Sequence, residues 1–512
     1  MSKVFRASLI LAVFFAADKA LGLIRQVLIA RQFGLTYNID VFNAANNIPD
    51  LLSALISGGA LGVAFIPVLS EYMEKKGHAQ AWELFARIVN FAFLVTGALA
   101  VVVVIFADPI VRYVIAPGFP EPQKLLAIQL MRLDLIAIVI FSISGLVMAG
   151  LQANQHFLLP AMAPLFYNLG QIFGIMLLAP AVGGRTFGPL TLPTFGFGIH
   201  GLVYGVIIGA FLHLLIQVPG LIMFKFKWKP VIGLNDPGVR QVLALLGPRV
   251  LTMLFIQSYF VARDNLASRM GEGSVSALNY GWFIMQVPET LIGTAIAIVL
   301  LPTLSEFVAR GDMESFKNTL NKGIRVLVAL TIPVTVIVAV GLPQVVQVLG
   351  FDAAGTARVV LATRAYLLGL LGHSLLEIAS RSFYARQDAR TPLLAAAVML
   401  VLFMICAIGY SSLWGFVGIA LANVTAFTFE ALLLLYLLNR KIPGVVNVWD
   451  SIPRVLAAAL VGGVVVFGLQ HWLPLPEMRR LIESVVGAAT MGVAALVMLP
   501  LIWREVKLLI KL

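Results

Sequence analysis

The feature of this chain that most constrains its fold is an internal repeat set between long apolar runs. Residues 66–72 read IPVLSEY, and residues 301–307 read LPTLSEF. A second pair of segments, 153–160 (ANQHFLLP) and 385–392 (ARQDARTP), shares alanine, glutamine and proline at equivalent positions. Repeats of this size in an apolar chain indicate two related bundles of membrane helices, an arrangement with which many transporters enclose a central cavity.

The composition agrees with a membrane protein. Hydrophobic residues make up 60% of the 512 residues, charged residues make up 12%, and the mean hydropathy is +0.97. Soluble domains are far less apolar, and the strict alternation of membrane β-strands is absent. The sequence therefore predicts an all-α polytopic membrane protein with about fourteen transmembrane helices, at residues 7–30, 41–69, 88–107, 133–151, 160–181, 198–223, 243–265, 274–302, 323–343, 359–384, 392–411, 415–438, 454–472 and 481–502.

The formal net charge of +12 is an orientation signal. With the N-terminus inside, Lys and Arg are about twice as frequent in the inner loops and tails as in the outer loops, which predicts that both termini are cytoplasmic. The positive charge could also indicate nucleic acid as a partner, but no patch of interleaved basic and aromatic residues is present. We therefore expect no nucleic-acid partner.

Enzymatic chemistry has little support in the sequence. The single cysteine, Cys406, lies in an apolar run, and the six histidines show no metal-ligand spacing. No phosphate-binding glycine loop and no nucleophile motif occurs. We expect a non-enzymatic protein without metal or cofactor. The N-terminal apolar stretch is interrupted by Asp18 and Lys19 without a convincing cleavage site, so we expect a retained first helix.

Three charges, Asp18, Lys19 and Arg25, lie within the first predicted span. Charged groups at membrane depth cost several kcal/mol unless they pair or face water. One explanation is that Asp18 neutralises Lys19 while Arg25 reaches the interface. The other is that the helix lines an aqueous cavity. We favour the cavity, because three charges exceed what anchoring requires.

Polar residues also occupy the second span. It begins with Asp40 and contains Asn47, Pro49 and Asp50, followed by Gly58 and Gly59. Proline removes a helical hydrogen bond, and glycines permit bending or close packing. The sequence predicts a helix that bends around a polar interior, with Pro49, Gly58 and Gly59 as structural or gating residues.

Two possible ion pairs lie in later spans. Arg263 and Asp264 are adjacent in the seventh span, near its predicted outer end. Glu377 and Arg381 are four residues apart in the tenth, the favourable order for a helical salt bridge. For both pairs a structural role and a functional role remain open.

The motifs of this chain, taken in order, resemble one family. The segments that carry the resemblance are Lys19-x-x-Gly22-x-x-Arg25, Asp40-x-Phe42, Asn47-x-Pro49-x-Leu51-Leu52, 59–72, Ala116-Pro117-Gly118-Phe119, 154–168 and 383–392. In this order they are similar to the MurJ (MviN) lipid II flippases of the multidrug/oligosaccharidyl-lipid/polysaccharide exporter superfamily, and the resemblance covers nearly the whole chain.

The resemblance implies a fold of two six-helix lobes around a V-shaped central cavity, followed by two extra helices. The corresponding domains are 1–223, 224–440 and 441–512. It also implies a function: moving undecaprenyl-pyrophosphate-linked peptidoglycan precursor from the inner to the outer leaflet of the bacterial cytoplasmic membrane. Membrane lipid is then a partner, and a monomer that works with the cell-wall synthesis machinery is expected.

The resemblance places Lys19 and Arg25 on two cavity arginines of the family and Asp40 on a family aspartate. We expect the substrate-binding residues to be Lys19, Arg25, Asp40, Asn47, Asp50 and Arg263, and Asp18, Asp264, Glu377 and Arg381 to have structural or gating roles.

Departures from the family pattern concern charge. Ser53, Ala54, Gly58 and a position near Phe283 are neutral where the family has charged residues. Other arginines in the spans, namely Arg249, Arg263 and Arg381, are candidate replacements.

Three alternatives follow from these departures. The chain could flip another polyprenyl-linked glycan, export drugs in exchange for a cation, or act as a non-transporting scaffold for wall enzymes. Sodium coupling is disfavoured, because span 392–411 contains no Asp, Glu or Asn. The cationic first span disfavours a drug exporter, which would be expected to use acidic residues in an apolar pocket.

Overall fold

The computed structural model describes residues 3–56, 60–187, 190–447, 449–473 and 480–510. The chain divides into two compact units, Met1–Arg269 and Met270–Leu512. Both units are helical almost throughout. The boundaries expected after residues 223 and 440 remain predictions.

The first unit contains eleven α-helices in its described part. They are α1 (Lys3–Phe33), α2 (Tyr37–Ala45), α3 (Asn47–Ile56), α4 (Ala60–Lys76), α5 (His78–Ile105), α6 (Ala107–Pro109), α7 (Glu121–Ala153), α8 (Leu158–Phe173), α9 (Ile199–Leu215), α10 (Val218–Met223) and α11 (Pro237–Ala267). Two π-helical turns, Ile110–Ile115 and Gly174–Leu178, extend α6 and α8. One antiparallel hairpin, β1 (Gly183–Phe187) and β2 (Leu190–Thr194), pairs Gly183 with Thr194.

The second unit continues with nine α-helices in its described part. They are α12 (Ser274–Glu289), α13 (Ala295–Arg310), α14 (Met313–Val346), α15 (Ala353–Leu367), α16 (Leu370–Ala385), α17 (Arg390–Lys441), α18 (Ile452–Trp472), α19 (Arg480–Met498) and α20 (Trp503–Ile510). A π-helical turn, Thr290–Thr294, joins α12 to α13. Short 3₁₀ turns are formed by Gln347–Leu349, Trp449–Ser451 and Leu499–Ile502.

The predicted all-α membrane architecture is confirmed. Within the described ranges, nine helices are long and apolar enough to cross a bilayer, or ten if α15 and α16, which meet at a 44° bend, form one span. Helix α17 is 52 residues long and breaks at Gly415, whose φ of 58° is outside the helical range. This break coincides with the predicted boundary between spans 392–411 and 415–438. The total of fourteen spans remains a prediction.

The sequence repeat has a structural counterpart in two helix ends. Two residues beyond the ends of α7 and α16 lies a glutamine with a left-handed backbone, Gln155 at φ 57° and Gln387 at φ 58°. In each case the next amide reaches five residues back: His156 N–H donates to the Leu151 carbonyl at 2.9 Å, and Asp388 N–H to that of Phe383 at 3.0 Å. This Schellman arrangement satisfies carbonyls that the helix end leaves open. The repeat therefore encodes the same helix stop in both units.

The other repeated segment also has matching local contacts. Glu71 in α4 pairs with Lys75 at 2.8 Å, and Glu306 in α13 pairs with Arg310, both at a spacing of four residues. The hydrogen bond and charge of Lys75 lower the pKa of the Glu71 carboxyl below its ordinary value. Both helices thus leave the apolar region with a charged turn of the same design.

Helices α8 and α9 pack with their backbones in direct contact. A Cβ atom placed on Gly170 would lie 2.4 Å from the Gly209 Cα, and one on Gly174 would lie 2.6 Å from the Gly205 Cα. Small residues at four-residue spacing permit such close approach in membranes, where packing replaces the hydrophobic effect as the driving force. The contact fixes the position of α8, which carries part of the polar interior.

We expect Gly174→Val to lower the thermal unfolding midpoint of the detergent-purified protein. The new side chain would overlap the α9 backbone, and overpacking of this kind costs about 1–3 kcal/mol. Gly97→Val in α5 is the matched control, because a Cβ at Gly97 meets nothing within 4 Å. An equal midpoint for Gly174→Val and Gly97→Val would contradict the close-packing argument.

Candidate functional site

The three charges of α1 have different environments. Lys19 is exposed, whereas Asp18 and Arg25 are half-buried. No ion pair joins Asp18 to Lys19 among the residues that the structure describes. The described residues therefore do not support the explanation in which Asp18 simply neutralises Lys19, and cargo binding by Lys19 remains a prediction.

Asp18 and Arg25 both contact Asn168 of α8. The Arg25 Nη1 group donates to the Asn168 Oδ1 atom at 3.0 Å, and the Asn168 Nδ2 group donates to the Asp18 Oδ1 atom at 2.8 Å. Asn168 is 5% exposed. The Arg25 Nε group is also buried and has no hydrogen-bond partner. The Asn168 amide therefore lies between the Asp18 carboxylate and the Arg25 guanidinium, and the guanidinium has one N–H group without an acceptor.

The predicted pair in the seventh span is formed and buried. The Arg263 Nε group donates to the Asp264 Oδ1 atom at 2.7 Å, with side chains 2% and 1% exposed. The Asn47 Nδ2 group donates to the other Asp264 oxygen at 2.8 Å, which links α3 to α11. The Arg263 guanidinium also lies 5.1 Å from the Phe260 ring centre. These contacts favour a structural role, and cargo binding by Arg263 or Asn47 remains a prediction.

The second predicted span is divided as the sequence indicates. Helix α2 ends at Ala45 and α3 begins at Asn47, with Pro49 buried in the first turn of α3. Asp40 is fully buried in the first turn of α2, where the helix dipole favours a carboxylate. Gly58 and Gly59 lie outside the described residues.

Two further carboxylates extend the polar interior of the first unit. Asp50 has solvent-accessible surface, but many protein atoms surround its carboxylate, as is typical of a residue that lines a recess. It also interacts electrostatically with Asp264. Asp134 of α7 is 3% exposed, and its Oδ1 atom has no hydrogen-bond partner. It lies within electrostatic range of Asp50. Helices α3, α7 and α11 therefore bring three acidic groups near one another.

Tyr167 connects the acidic and basic parts of this interior. It precedes Asn168 in α8 and interacts electrostatically with Arg25, Asp50 and Asp134. Sequence reasoning did not assign roles to Asp134, Tyr167 or Asn168. A lone acid within the apolar run 133–151 was a usable signal for Asp134. Asn168 belonged to a matched motif, but nothing in the sequence indicated its partners.

The second unit holds a smaller polar group. Glu377 and Arg381 of α16 form the salt bridge expected from their spacing. Glu289, at the end of α12, accepts from the Thr294 hydroxyl at 3.1 and 3.2 Å and interacts electrostatically with Glu377 and Arg381. The structure supports the structural explanation of Glu377–Arg381, while a gating role remains a prediction.

Among the described residues, the structure identifies no arginine that takes the place of the family charges that this chain lacks. Ser53, Ala54 and Phe283 are half-buried, and the side chain of Arg249 lies outside the described part of the chain. Arg263 and Arg381 are each bound to a neighbouring carboxylate. Within the described residues, no group of three or more His, Cys, Asp or Glu side chains could hold a metal ion.

We expect Arg263→Ala to destabilise the first unit, because it leaves the buried Asp264 carboxylate without its counterion. Breaking a buried pair in this way costs about 3–5 kcal/mol. Adding Asp264→Asn should recover part of the loss in the thermal unfolding midpoint. A double variant no more stable than Arg263→Ala would show that the arginine has a role other than neutralising Asp264.

Comparisons with known proteins were consistent across sequence and structure. A protein-family model described as "Lipid II flippase MurJ" matches residues 29–478. The lipid II flippase MurJ of Burkholderia cenocepacia is 31% identical over 480 residues, covering 91% of this chain and 90% of the relative. A probable lipid II flippase MurJ of Vibrio cholerae is 28% identical, with 96% and 95% covered.

Solved structures show the same fold. "Lipid II flippase MurJ, inward closed conformation" matches with a TM-score of 0.75 at 22% identity, covering 96% of this chain and 99% of that one. An inward-facing multidrug resistance MATE family transporter of the MOP superfamily matches with a TM-score of 0.66 at 14% identity, covering 84% and 95%. At these identities the structural likeness concerns the fold alone.

Proposed function

Because the chain belongs to the lipid II flippase MurJ family, we propose that it moves lipid II, the undecaprenyl-pyrophosphate-linked peptidoglycan precursor, from the inner to the outer leaflet of the bacterial cytoplasmic membrane. The observation that carries this proposal beyond family membership is the environment of Arg25. Its guanidinium lies on α1, which the sequence predicts to span the membrane, is held by a neutral amide, and has a buried N–H without a partner.

The chemistry of the cargo requires such a group. A pyrophosphate that leaves water needs compensating positive charge, and charge-assisted hydrogen bonds to phosphate oxygens are about twice as strong as neutral ones. Arg25 supplies a planar group with several donors, while Lys19 supplies a compact charge without the bidentate geometry. We assign Arg25 to direct phosphate contact and Lys19 to charge neutralisation.

Transport breaks no covalent bond, so the chain needs no catalytic group and acts as a transporter rather than an enzyme. In the proposed cycle the two lobes rock about the cavity, which opens first to the inside and then to the outside. Inward movement of positive charge could couple the cycle to the membrane potential, at about 2.3 kcal/mol per charge per 100 mV. We propose a monomer in the membrane with both termini cytoplasmic, working beside the cell-wall synthesis machinery.

A flippase for another polyprenyl-linked glycan is the second candidate. The uncharged Ser53 and Ala54 favour it, because a less cationic cavity is compatible with a different head group. Both cargoes carry the same pyrophosphate, so Arg25 has the same role in each. Rescue of a bacterium depleted of its peptidoglycan flippase separates the two, since only a lipid II flippase restores wall synthesis.

Arg25→Ala should abolish rescue in that depletion strain, and precursor should remain inaccessible at the outer leaflet. Arg25→Lys should impair rescue, because an ammonium cannot form two parallel hydrogen bonds to phosphate, whereas Lys19→Arg should be tolerated. Arg310→Ala is the control, since Arg310 is an exposed arginine bonded to Glu306 of its own helix. Membrane levels of each variant are measured alongside. Full rescue by Arg25→Ala would exclude the proposed mechanism.

The proposed orientation is tested by cysteine labelling in a Cys406→Ala background. Glu74→Cys, in the segment 70–87 expected inside, should resist a membrane-impermeant thiol reagent in intact cells. Val182→Cys, in the loop before β1, should react, because Val182 is 82% exposed and lies on the expected outer side. Both should react in permeabilised cells. The reverse pattern would invert the orientation and the direction of flipping.

A further inference from the structure

We propose that Asn168 is a positioning residue that determines which edge of the Arg25 guanidinium meets the cargo. This inference rests on the proposed function, in which Arg25 binds a pyrophosphate. It assigns a role to a residue that contacts no cargo itself and acts through Arg25.

The positions of Asp18 and Arg25 on α1 create the need for such a residue. They are seven residues apart, which places them two turns apart, about 10 Å along the axis, and nearly on the same face. A carboxylate and a guanidinium on one face of a helix attract each other, and the attraction increases where protein partly excludes water, as it does at these two half-buried side chains. Asn168 on the neighbouring helix bonds to both groups and takes the place of their direct contact.

The direction of the Asn168 amide follows from its partners. Its oxygen accepts from Arg25, while its NH₂ group donates to Asp18 at 2.8 Å and to the Pro164 carbonyl at 3.3 Å. A reversed amide would set NH₂ against the guanidinium and oxygen against the carboxylate. A neutral amide offers a donor and an acceptor side by side in one planar group, so this residue type is matched to a site between a guanidinium and a carboxylate.

This arrangement leaves the Nε of Arg25 without a hydrogen-bond partner in the protein. The amide occupies Nη1, whereas Nε–H points to the opposite side together with one N–H of Nη2. Nε is buried without a hydrogen-bond partner, and a buried unsatisfied donor bears an uncompensated desolvation cost. Two oxygens of one phosphate fit the Nε–Nη2 edge through parallel hydrogen bonds. The cargo therefore satisfies a donor that the protein leaves open.

The backbone holds Asn168 in place. Gly170, two residues further along α8, lies against Gly209 of α9, and no side chain on either residue could be accommodated without movement. Asn168 cannot retreat from α1 unless this contact opens. The glycine contact thus sets the distance at which the amide reaches Arg25.

Binding of geranylgeranyl pyrophosphate to the purified full-length protein in nanodiscs tests the proposal, with the monophosphate as comparison. Asn168→Ala should weaken pyrophosphate binding about tenfold or more, the range of a hydrogen bond to a charged group, because Arg25 turns toward Asp18. Asn168→Asp, which keeps the side-chain size, should weaken it further, because the new carboxylate becomes a permanent counterion of Arg25. Asn154→Ala removes an amide that donates to the Gly150 carbonyl near the end of α7, and it should leave binding unchanged.

The decisive measurement is the double variant Asn168→Ala with Asp18→Asn. Removing the competing carboxylate should return the dissociation constant to within about threefold of the Asp18→Asn value, a recovery that a purely structural role of Asn168 would not give. Parent-like binding by Asn168→Ala or Asn168→Asp, or a folded double variant without recovery, would overturn the positioning role. Arg25→Ala separates the two proposals: parent-like binding by that variant would instead overturn phosphate binding by Arg25.

Discussion

The interior of the first unit depends on one constraint: a charge inside the membrane must be neutralised, hydrogen-bonded or hydrated. The chain meets it in two ways. Arg263 and Asp264 neutralise each other in a buried pair that Asn47 completes. Arg25 is treated differently, because its structural partner is an uncharged amide. The first arrangement balances the charge of Arg263 within the protein, and the second leaves the charge of Arg25 without a directly bonded carboxylate.

Helix packing makes this distinction possible. Backbone contact between α8 and α9 through glycines fixes α8 closely enough for a short asparagine side chain to reach two groups on α1. The same helix carries Tyr167, which lies within electrostatic range of the acidic groups on α3 and α7. The cationic and acidic parts of the interior are therefore organised by one helix whose own position is sterically determined.

Sequence reasoning predicted the features that follow from local rules. Helical membrane spans follow from hydropathy, and the Glu377–Arg381 bridge follows from four-residue spacing. The repeat predicted two related bundles, but the matching helix stops at Gln155 and Gln387 were found only in the structure. Sequence reasoning missed Asn168 and Asp134, because their roles depend on which helices become neighbours. It also gave no indication of the β1–β2 hairpin, whose short polar and apolar segments carry no distinctive pattern. Periodicity and composition describe single segments of the chain, so they do not predict which distant segments become neighbours.

A neutral partner for Arg25 also suits a protein that must release what it binds. A carboxylate in contact with the guanidinium would compete with phosphate at every step, whereas an unpartnered guanidinium would bear the full cost of desolvation between cargoes. An amide offers an intermediate solution: it satisfies one donor without cancelling the charge. Binding strong enough to extract a pyrophosphate from water and weak enough to release it requires such a balance. The proposed role of Asn168 is to set this balance, and its hydrogen bonds to both Asp18 and Arg25 place it between the two groups.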